Sequence, residues 1–376
     1  MSKHPVRVLL ISTSYPANAG DWRGIFMRHL VGALARVAGI RLKVWLPPGD
    51  LPAAAEQVMS VRESVWLRGL LDAGGVSHLM RKGGLRGWLA PLLLLRLLRD
   101  VYRRSSDVDV YHINWLQCAL PLPENGRPAV ISVLGNDLKL LRVPMMRLLM
   151  RRIMRRRRVV LCPNAQWMSV PLHAAFGDIA QIVPVSFGID PSWYRVKRCY
   201  ETRSPARWLA ITRLTADKLG DLFSWGYRFF GATGRELHLF GPMQEPIDVP
   251  TWVHYHGAAT PETLAAQWFP SACGLITLSR HAEGRPQVML EAMASGLPII
   301  ASDMPAHASL VADNETGALC NSIDALGRAL ALIENVDVNV RLGEAARAWA
   351  AREVGTWDDC AQRYLRIYSD LLGEGA

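Results

Sequence analysis

At 376 residues the chain is longer than one hydrophobic core normally supports, so two domains are the default. Half of the residues are apolar and a fifth are charged, the balance of a soluble globular protein, which sets aside fibrous and disordered classes. No apolar run is long enough for a membrane span; the longest, Trp88 to Leu98, is interrupted by Pro91 and Arg96.

The N-terminal MSKHPVRVLLISTSYP has too short an apolar core for a secretion signal and predicts a first buried strand, Val6–Ser12. Further strands are expected at Arg41–Leu46, Val108–His112, Ala129–Val133, Arg158–Cys162 and Gln181–Pro184. Helices are expected at Phe26–Ala38, Leu89–Arg104, Val143–Met154 and Met168–Ala175. Such β-α alternation points to a doubly wound parallel sheet. Residues 48–80 carry no clear period.

A second set of elements begins near Arg207. WLAIT, LHLFG, VHYHG, CGLITLS and LPIIAS predict strands, with helices among them and closing helices at Asp324–Asn335 and Val338–Glu353. The boundaries that follow are 1–190 for an N-terminal domain, 191–206 for a linker, 207–355 for a second domain and 356–376 for a last amphipathic helix. The six cysteines are far apart and lack a Cys-x-x-Cys pair, so neither a disulfide framework nor a zinc cluster is indicated and a cytoplasmic location is expected.

Charge is divided unevenly. Residues 1–200 hold 29 Lys+Arg against 12 Asp+Glu, a net of +17, while the remainder holds 14 against 21, a net of −7. The first half is therefore expected to face an anionic partner. Its densest run, residues 146–160, places Arg147, Arg151, Arg155 and Arg158 at helical spacing among leucines and methionines. A second basic amphipathic stretch covers residues 81–104, including Arg81, Lys82, Arg86, Arg96, Arg99, Arg103 and Arg104. Basic and apolar residues on one helix suit an anionic membrane surface. Nucleic acid is the rival partner, but no nucleic-acid motif or stacking ladder accompanies the charge.

The chemistry is concentrated in SRHAEGRPQVMLEAMASGLPIIASD, residues 279–303, where Glu283 and Glu291 stand eight positions apart. Pro286 suits the first position of a helix, and Gly296 followed by Pro298 ends it. Backbone N–H groups from Gly284 through Arg285, Pro286 and Gln287 to Val288 (the proline itself having none) then cluster at a helix start, where they and the helix dipole favour an anion. The carboxylates beside such a site are suited to sugar and ribose hydroxyls.

This stretch resembles the donor-site signature of family 4 retaining glycosyltransferases: Glu283, Gly284, Pro286, Glu291, Ala292, Met293, Ala294, Gly296 and Pro298 match in order. The resemblance implies a GT-B fold, two doubly wound Rossmann-like domains facing a cleft, with the C-terminal helix crossing back to the first. It also implies a hexosyltransferase that takes a nucleotide diphosphate sugar, with Glu291 on the ribose hydroxyls and Glu283 on the transferred sugar. Arg213 and Lys218, in WLAITRLTADKLGDLF, match the family's diphosphate cations, although Thr212 stands where glycine is usual and Leu219 precedes Gly220.

By the same resemblance the loop after Gly257 contacts the nucleobase, and Gly24 opens a helix near the donor phosphates or the acceptor. His112, Asn136 and Asp137 match acceptor-side positions. Leu134 replaces a common histidine, and Phe187 an asparagine. Family analogy adds retention without divalent metal or cofactor and front-face transfer assisted by the leaving phosphate. The acceptor is then a glycan, plausibly lipid-linked, in bacterial polysaccharide or glycolipid assembly, with the protein peripheral on the inner face of the cytoplasmic membrane. Two alternatives stand beside it: a GT-B nucleotide-sugar epimerase or hydrolase, and a noncatalytic membrane-bound partner of a transferase.

Overall fold

The computed structural model describes residues 4–18, 20–21, 23–76, 79–80, 83–200, 205–231, 234–281 and 284–373, without the side chains of Leu85, Arg86, Trp88 and Asn136. Glu283 and, in the basic stretch of residues 81–104, Arg81 and Lys82 lie outside the described residues. The chain divides into two units. One comprises Met1–Phe187 with Trp357–Ala376, and the other Gly188–Thr356.

The first unit is built on a seven-stranded parallel sheet: β1 Val6–Ile11, β2 Ile40–Trp45, β3 Ala55–Gln57, β4 Val110–Asn114, β5 Ala129–Val133, β6 Val159–Pro163 and β7 Gln181–Ile182. Their order is β3-β2-β1-β4-β5-β6-β7. Helices α1 Ile25–Arg36, α2 Val61–Asp72, α3 Gly84–Arg104, α4 Met146–Met154 and α5 Ser169–Phe176 cover it. The strands are apolar on both faces because both are covered. Leu9, Ile11 and Tyr111 meet Leu94, Leu98 and Phe176, which lie on α3 and α5. Val8, Leu10 and Val110 meet Leu30 and Leu34 of α1 and Tyr364 and Tyr368 of the C-terminal helix, Trp357–Leu372.

The second unit carries a six-stranded parallel sheet: β8 Ala206–Ile211, β9 Arg235–Phe240, β10 Val253–Tyr255, β11 Gly274–Thr277, β12 Ile299–Ser302 and β13 Gly317–Cys320, in the order β10-β9-β8-β11-β12-β13. Its longer helices are α6 Leu222–Phe230, α7 Gln287–Ala294, α8 Ile323–Glu334 and α9 Val336–Glu353.

Three features depart from the pattern-based reading. Within residues 48–80 the chain forms β3 and α2. The start of α2 is a capping box in which Glu63 N donates to Ser60 Oγ and Ser60 N to Glu63 Oε2, a Ser-x-x-Glu signal present in the sequence. β13 is only four residues long and follows a turn at Asn314, whose φ is 60°. The described part of the expected linker 191–206 belongs to the second unit: Trp193 and Val196 are core residues, and Arg198 donates to the carbonyls of Gly296 (2.9 Å) and Ala272 (2.6 Å). The apolar content of that segment was enough to dock it.

Candidate functional site

In the second sheet the chain leaves β8 toward β9 on one side and leaves β11 toward β12 on the other. The loops after β8 and β11 therefore diverge at neighbouring strand ends, where open α/β sheets bind ligands. Arg213 and Lys218 lie in the first loop and residues 279–281 and 284–286 in the second.

The two loops are stitched together. Arg280 N donates to Asp217 O (2.8 Å), Ser279 Oγ to Asp217 O (3.3 Å) and Asp221 N to Leu278 O (3.2 Å), while Arg280 pairs with Asp221. Gly220 makes this approach feasible: its φ is +54°, and a Cβ there would run into Leu278 O. Arg213 Nη1 donates to Gln244 Oε1 (3.2 Å), and Thr215 caps the short turn bearing Lys218 by accepting from its N–H (3.3 Å).

Helix α7 begins one residue later than expected. Pro286 is its N-cap (φ −67°, ψ 116°), and Gln287 is the first helical residue. An extended ψ at a capping position suits proline equally well. The first-turn N–H groups of α7 have no intrahelical partner, and the dipole gives that end positive character. Gly284 and Pro286 are buried, and Arg285 lies over the Trp349 ring, 5.8 Å from its centroid. Gln287 Nε2 donates to Gly188 O (3.0 Å), which anchors the helix start and engages the side-chain nitrogen; Val288 is half-buried beside it. The other end closes as expected at Gly296 (φ +69°), with Leu297 N donating to Ala292 O and Gly296 N to Met293 O, both 2.9 Å.

Glu291 projects from this helix and is half-buried. Burial, and secondarily the charge of Asp190, push its carboxyl up to about 8. Among the described residues its carboxylate accepts no hydrogen bond from the protein. A carboxylate in that setting gains from hydroxyl donors brought by a ligand.

At the ends of β9 and β10, Gly241 N donates to Gly257 O (2.8 Å) and Tyr255 Oη to Gly241 O (2.9 Å). Gly257 has φ +72° and open space where a Cβ would stand. Beside it lies a group that motif reading missed. Exposed His256 stacks on Phe240, and its Nε2 is 2.9 Å from His238 Nδ1; His238 also stacks on His254 and approaches Glu236 at 3.2 Å. The signal was a period-two run, Glu236-His238-Phe240 facing His254 and His256. Among the described residues no group of three or more His, Cys, Asp or Glu is placed to hold a metal ion.

The first unit corrects two expectations. His112 is 0% exposed: its Nδ1 lies 2.6 Å from Tyr368 Oη and its Nε2 2.9 Å from Ser132 Oγ. Burial lowers its pKa to about 3, so it is a neutral core histidine locking the C-terminal helix to the sheet, not an acceptor contact. Asp137 is likewise buried, accepting from Leu116 N (2.9 Å) and Leu134 N (2.7 Å), and joins the loops after β4 and β5. Burial raises its pKa to about 6, and those N–H donors oppose the shift. The backbone of Asn136 opens the adjacent 3-10 turn; its side chain is outside the description.

Gly24 is the N-cap of α1 at φ +74°, where a Cβ would collide with Ser14 Oγ and Tyr15 N. Phe187, in the asparagine position, packs between Phe26 (5.3 Å) and Trp357 (5.5 Å).

Part of the basic stripe is engaged within the first unit. Arg147 donates to Ala174 O (2.6 Å) and Arg151 to Ala175 O (2.8 Å), covering orphan carbonyls at the end of α5. Arg151 also pairs with Asp178, and Arg158 donates to Asp370 O (3.0 Å). Of the three, Arg151 is half-buried, whereas Arg147 and Arg158 remain exposed. Arg155 is exposed, and the outward face of α4 is Met145 (64% exposed), Leu148 (56%), Leu149 (46%) and Arg152.

Residues 254–349 match the family described as Glycosyl transferases group 1. The chain is 36% identical over 89 residues to phosphatidyl-myo-inositol mannosyltransferase of Mycolicibacterium smegmatis, 23% of each chain. It is 28% identical over 143 residues to an uncharacterized glycosyltransferase of Haemophilus influenzae, 37% of this chain and 38% of that one. The chain thus aligns with about a quarter to two-fifths of the length of these relatives. Among solved structures it resembles sucrose-phosphate synthase from Thermosynechococcus elongatus, with TM-score 0.70, 16% identity and coverage of 98% and 99% of the two chains. It also resembles HepE from Anabaena in complex with UDP and glucose, with TM-score 0.64, 14% identity and coverage of 97% and 100%. The chain therefore has the GT-B fold of these structures, and its residues 254–349 match the family described as Glycosyl transferases group 1.

Proposed function

We propose that the protein is a retaining hexosyltransferase that moves a sugar from a nucleotide diphosphate sugar to a glycan acceptor, without a divalent metal. The observation that carries this reading is the pairing, at the switch point of the second sheet, of the Arg213–Gly220 loop with the loop leading into α7. Arg213, Lys218 and the first N–H groups of α7 hold the diphosphate, where negative charge grows as the glycosidic bond breaks. Glu291 accepts the ribose hydroxyls and Glu283 those of the transferred sugar. The loop after Gly257 holds the base. Transfer proceeds on the front face, with the leaving phosphate assisting loss of the acceptor proton. The partner that supplies the acceptor is an anionic membrane surface, where the protein docks peripherally on the cytoplasmic side and elongates a lipid-linked glycan of polysaccharide or glycolipid assembly. Exposed Met145, Leu148 and Leu149 beside Arg152 support that docking.

The test is thermal stability against UDP-, GDP- and ADP-sugars, since a ligand of the folded state raises the midpoint by mass action. One donor should raise it, and Glu291→Ala should weaken that donor about 100-fold by removing the acceptor of two hydroxyl bonds. No shift with any donor, from protein that is folded, would sink the reading. Donor turnover with no acceptor present would replace transfer by hydrolysis or epimerisation.

A further inference from the structure

The first unit contains a cavity of about 620 Å³ between α3 and the segment after β4, lined by Arg96, Arg99, Arg103, Leu120, Leu122 and Pro123. A volume of this size is typical of small-molecule sites. The arginines fall at i, i+3 and i+7, on one side of α3 and spread over about 10 Å of helix. All three are exposed, and among the described residues none has an ion-pair or hydrogen-bond partner. The one carboxylate lining the cavity, Glu124, is paired with Arg156.

The opposite wall is held from behind. Arg157, 9% exposed, donates to the carbonyls of Pro123 and Arg127, and Tyr102 Oη of α3 donates to Cys118 O (2.8 Å). Leu122 is buried and fixes the turn. The wall is thus tied to the core while three guanidinium groups line the cavity with no ion-pair partner among the described residues. Keeping three like charges on one helical stripe is unfavourable unless an anion joins them. Guanidinium forks match phosphate oxygens bidentately. Continued toward the start of α3, the same stripe bears Leu89 (50% exposed) and Leu92 (64% exposed), so the cationic cavity adjoins an apolar strip.

We propose that this cavity binds a phosphate or diphosphate group, at a site separate from Arg213, Lys218 and Glu291. The ligand is either the headgroup of an anionic lipid or a soluble phosphate compound. The inference does not depend on the transfer reading.

Inorganic pyrophosphate, titrated calorimetrically into the full-length protein, tests it. The R213A/K218A variant removes the cations proposed for the donor diphosphate and should still bind pyrophosphate. Adding R99A/R103A should weaken that binding at least about tenfold, the loss expected for two charge-assisted partners. Unliganded thermal midpoints check folding, and R99Q/R103Q replaces the alanine variant should that one unfold. Pyrophosphate binding unchanged by R99A/R103A, or abolished by R213A/K218A alone, overturns the proposal. Cosedimentation with phosphatidylcholine vesicles, with and without phosphatidylglycerol, separates the two sources. Anionic-vesicle binding lost in R99A/R103A and displaced by pyrophosphate supports a lipid headgroup. Vesicle binding kept by a variant that has lost pyrophosphate supports a soluble phosphate.

Discussion

In the second unit the residues singled out by pattern stand at the carboxyl ends of β8 and β11, whereas in the first unit His112 and Asp137 are absorbed into the core. The difference lies in how each position is built. Gly220, Pro286 and Gly296 shape loops through their own backbone preferences, so the loop geometry is largely local. His112 sits on a strand, and its surroundings depend on what packs above it. There the occupant is the C-terminal helix, whose Tyr364 and Tyr368 arrive from more than two hundred residues away. A polar residue at a strand end is therefore ambiguous in a way that a glycine-proline turn is not.

The largest expected effect strikes the local side of this comparison. Gly220→Ala puts a Cβ at φ +54° against Leu278 O and should cost about 3 kcal/mol or more. Denaturant melts would show it, with a matching loss of donor binding. A neutral outcome would mean that the two loops are not held together as described.

The long-range side is tested by Tyr368→Phe, which leaves a buried nitrogen of His112 without its partner and should cost about 2 kcal/mol while sparing donor binding. His112 also predicts a pH dependence. Its folded pKa, about 3, lies below the unfolded value of about 6.5. The unfolded chain thus binds the proton first, and stability present above pH 6.5 is lost as pH falls toward 3. His112→Gln should flatten that limb in acid titrations of stability; an unchanged limb would place the acid sensitivity elsewhere.

The smallest effect separates Arg151, bonded within the unit, from the exposed apolar face of α4. Arg151→Ala breaks a surface pair with Asp178 and should cost at most about 1 kcal/mol, with anionic-vesicle binding retained. Leu148→Glu with Leu149→Glu, on the exposed face of α4, should reduce vesicle binding about tenfold. The reverse ranking would restore Arg151 to the docking surface.

Much of the fold was legible because a strand buried on both faces reads as a near-continuous apolar run, as Ala129–Val133 does apart from Ser132. The start of α2 was legible too, through Ser60 and Glu63, but lay in a segment of weak periodicity. β13 was not, because four residues ending at Cys320 carry too little pattern to stand apart from a turn. The stacked histidines escaped motif reading because Glu236, His238 and Phe240 form a group only once β10 lies beside β9.

The sequence by itself determined the β-α alternation, the glycine-proline loop into α7, and the asymmetry of charge, since each depends on neighbours in the chain. Only the tertiary structure decided which polar groups remain available. His112 and Asp137 were enclosed by packing, and Arg147 and Arg151 were turned onto helix-end carbonyls. Arg96, Arg99 and Arg103, by contrast, line a cavity whose one lining carboxylate, Glu124, is paired with Arg156. The physical reason is that backbone preference acts over a few residues, whereas burial and charge compensation depend on every element that reaches the site.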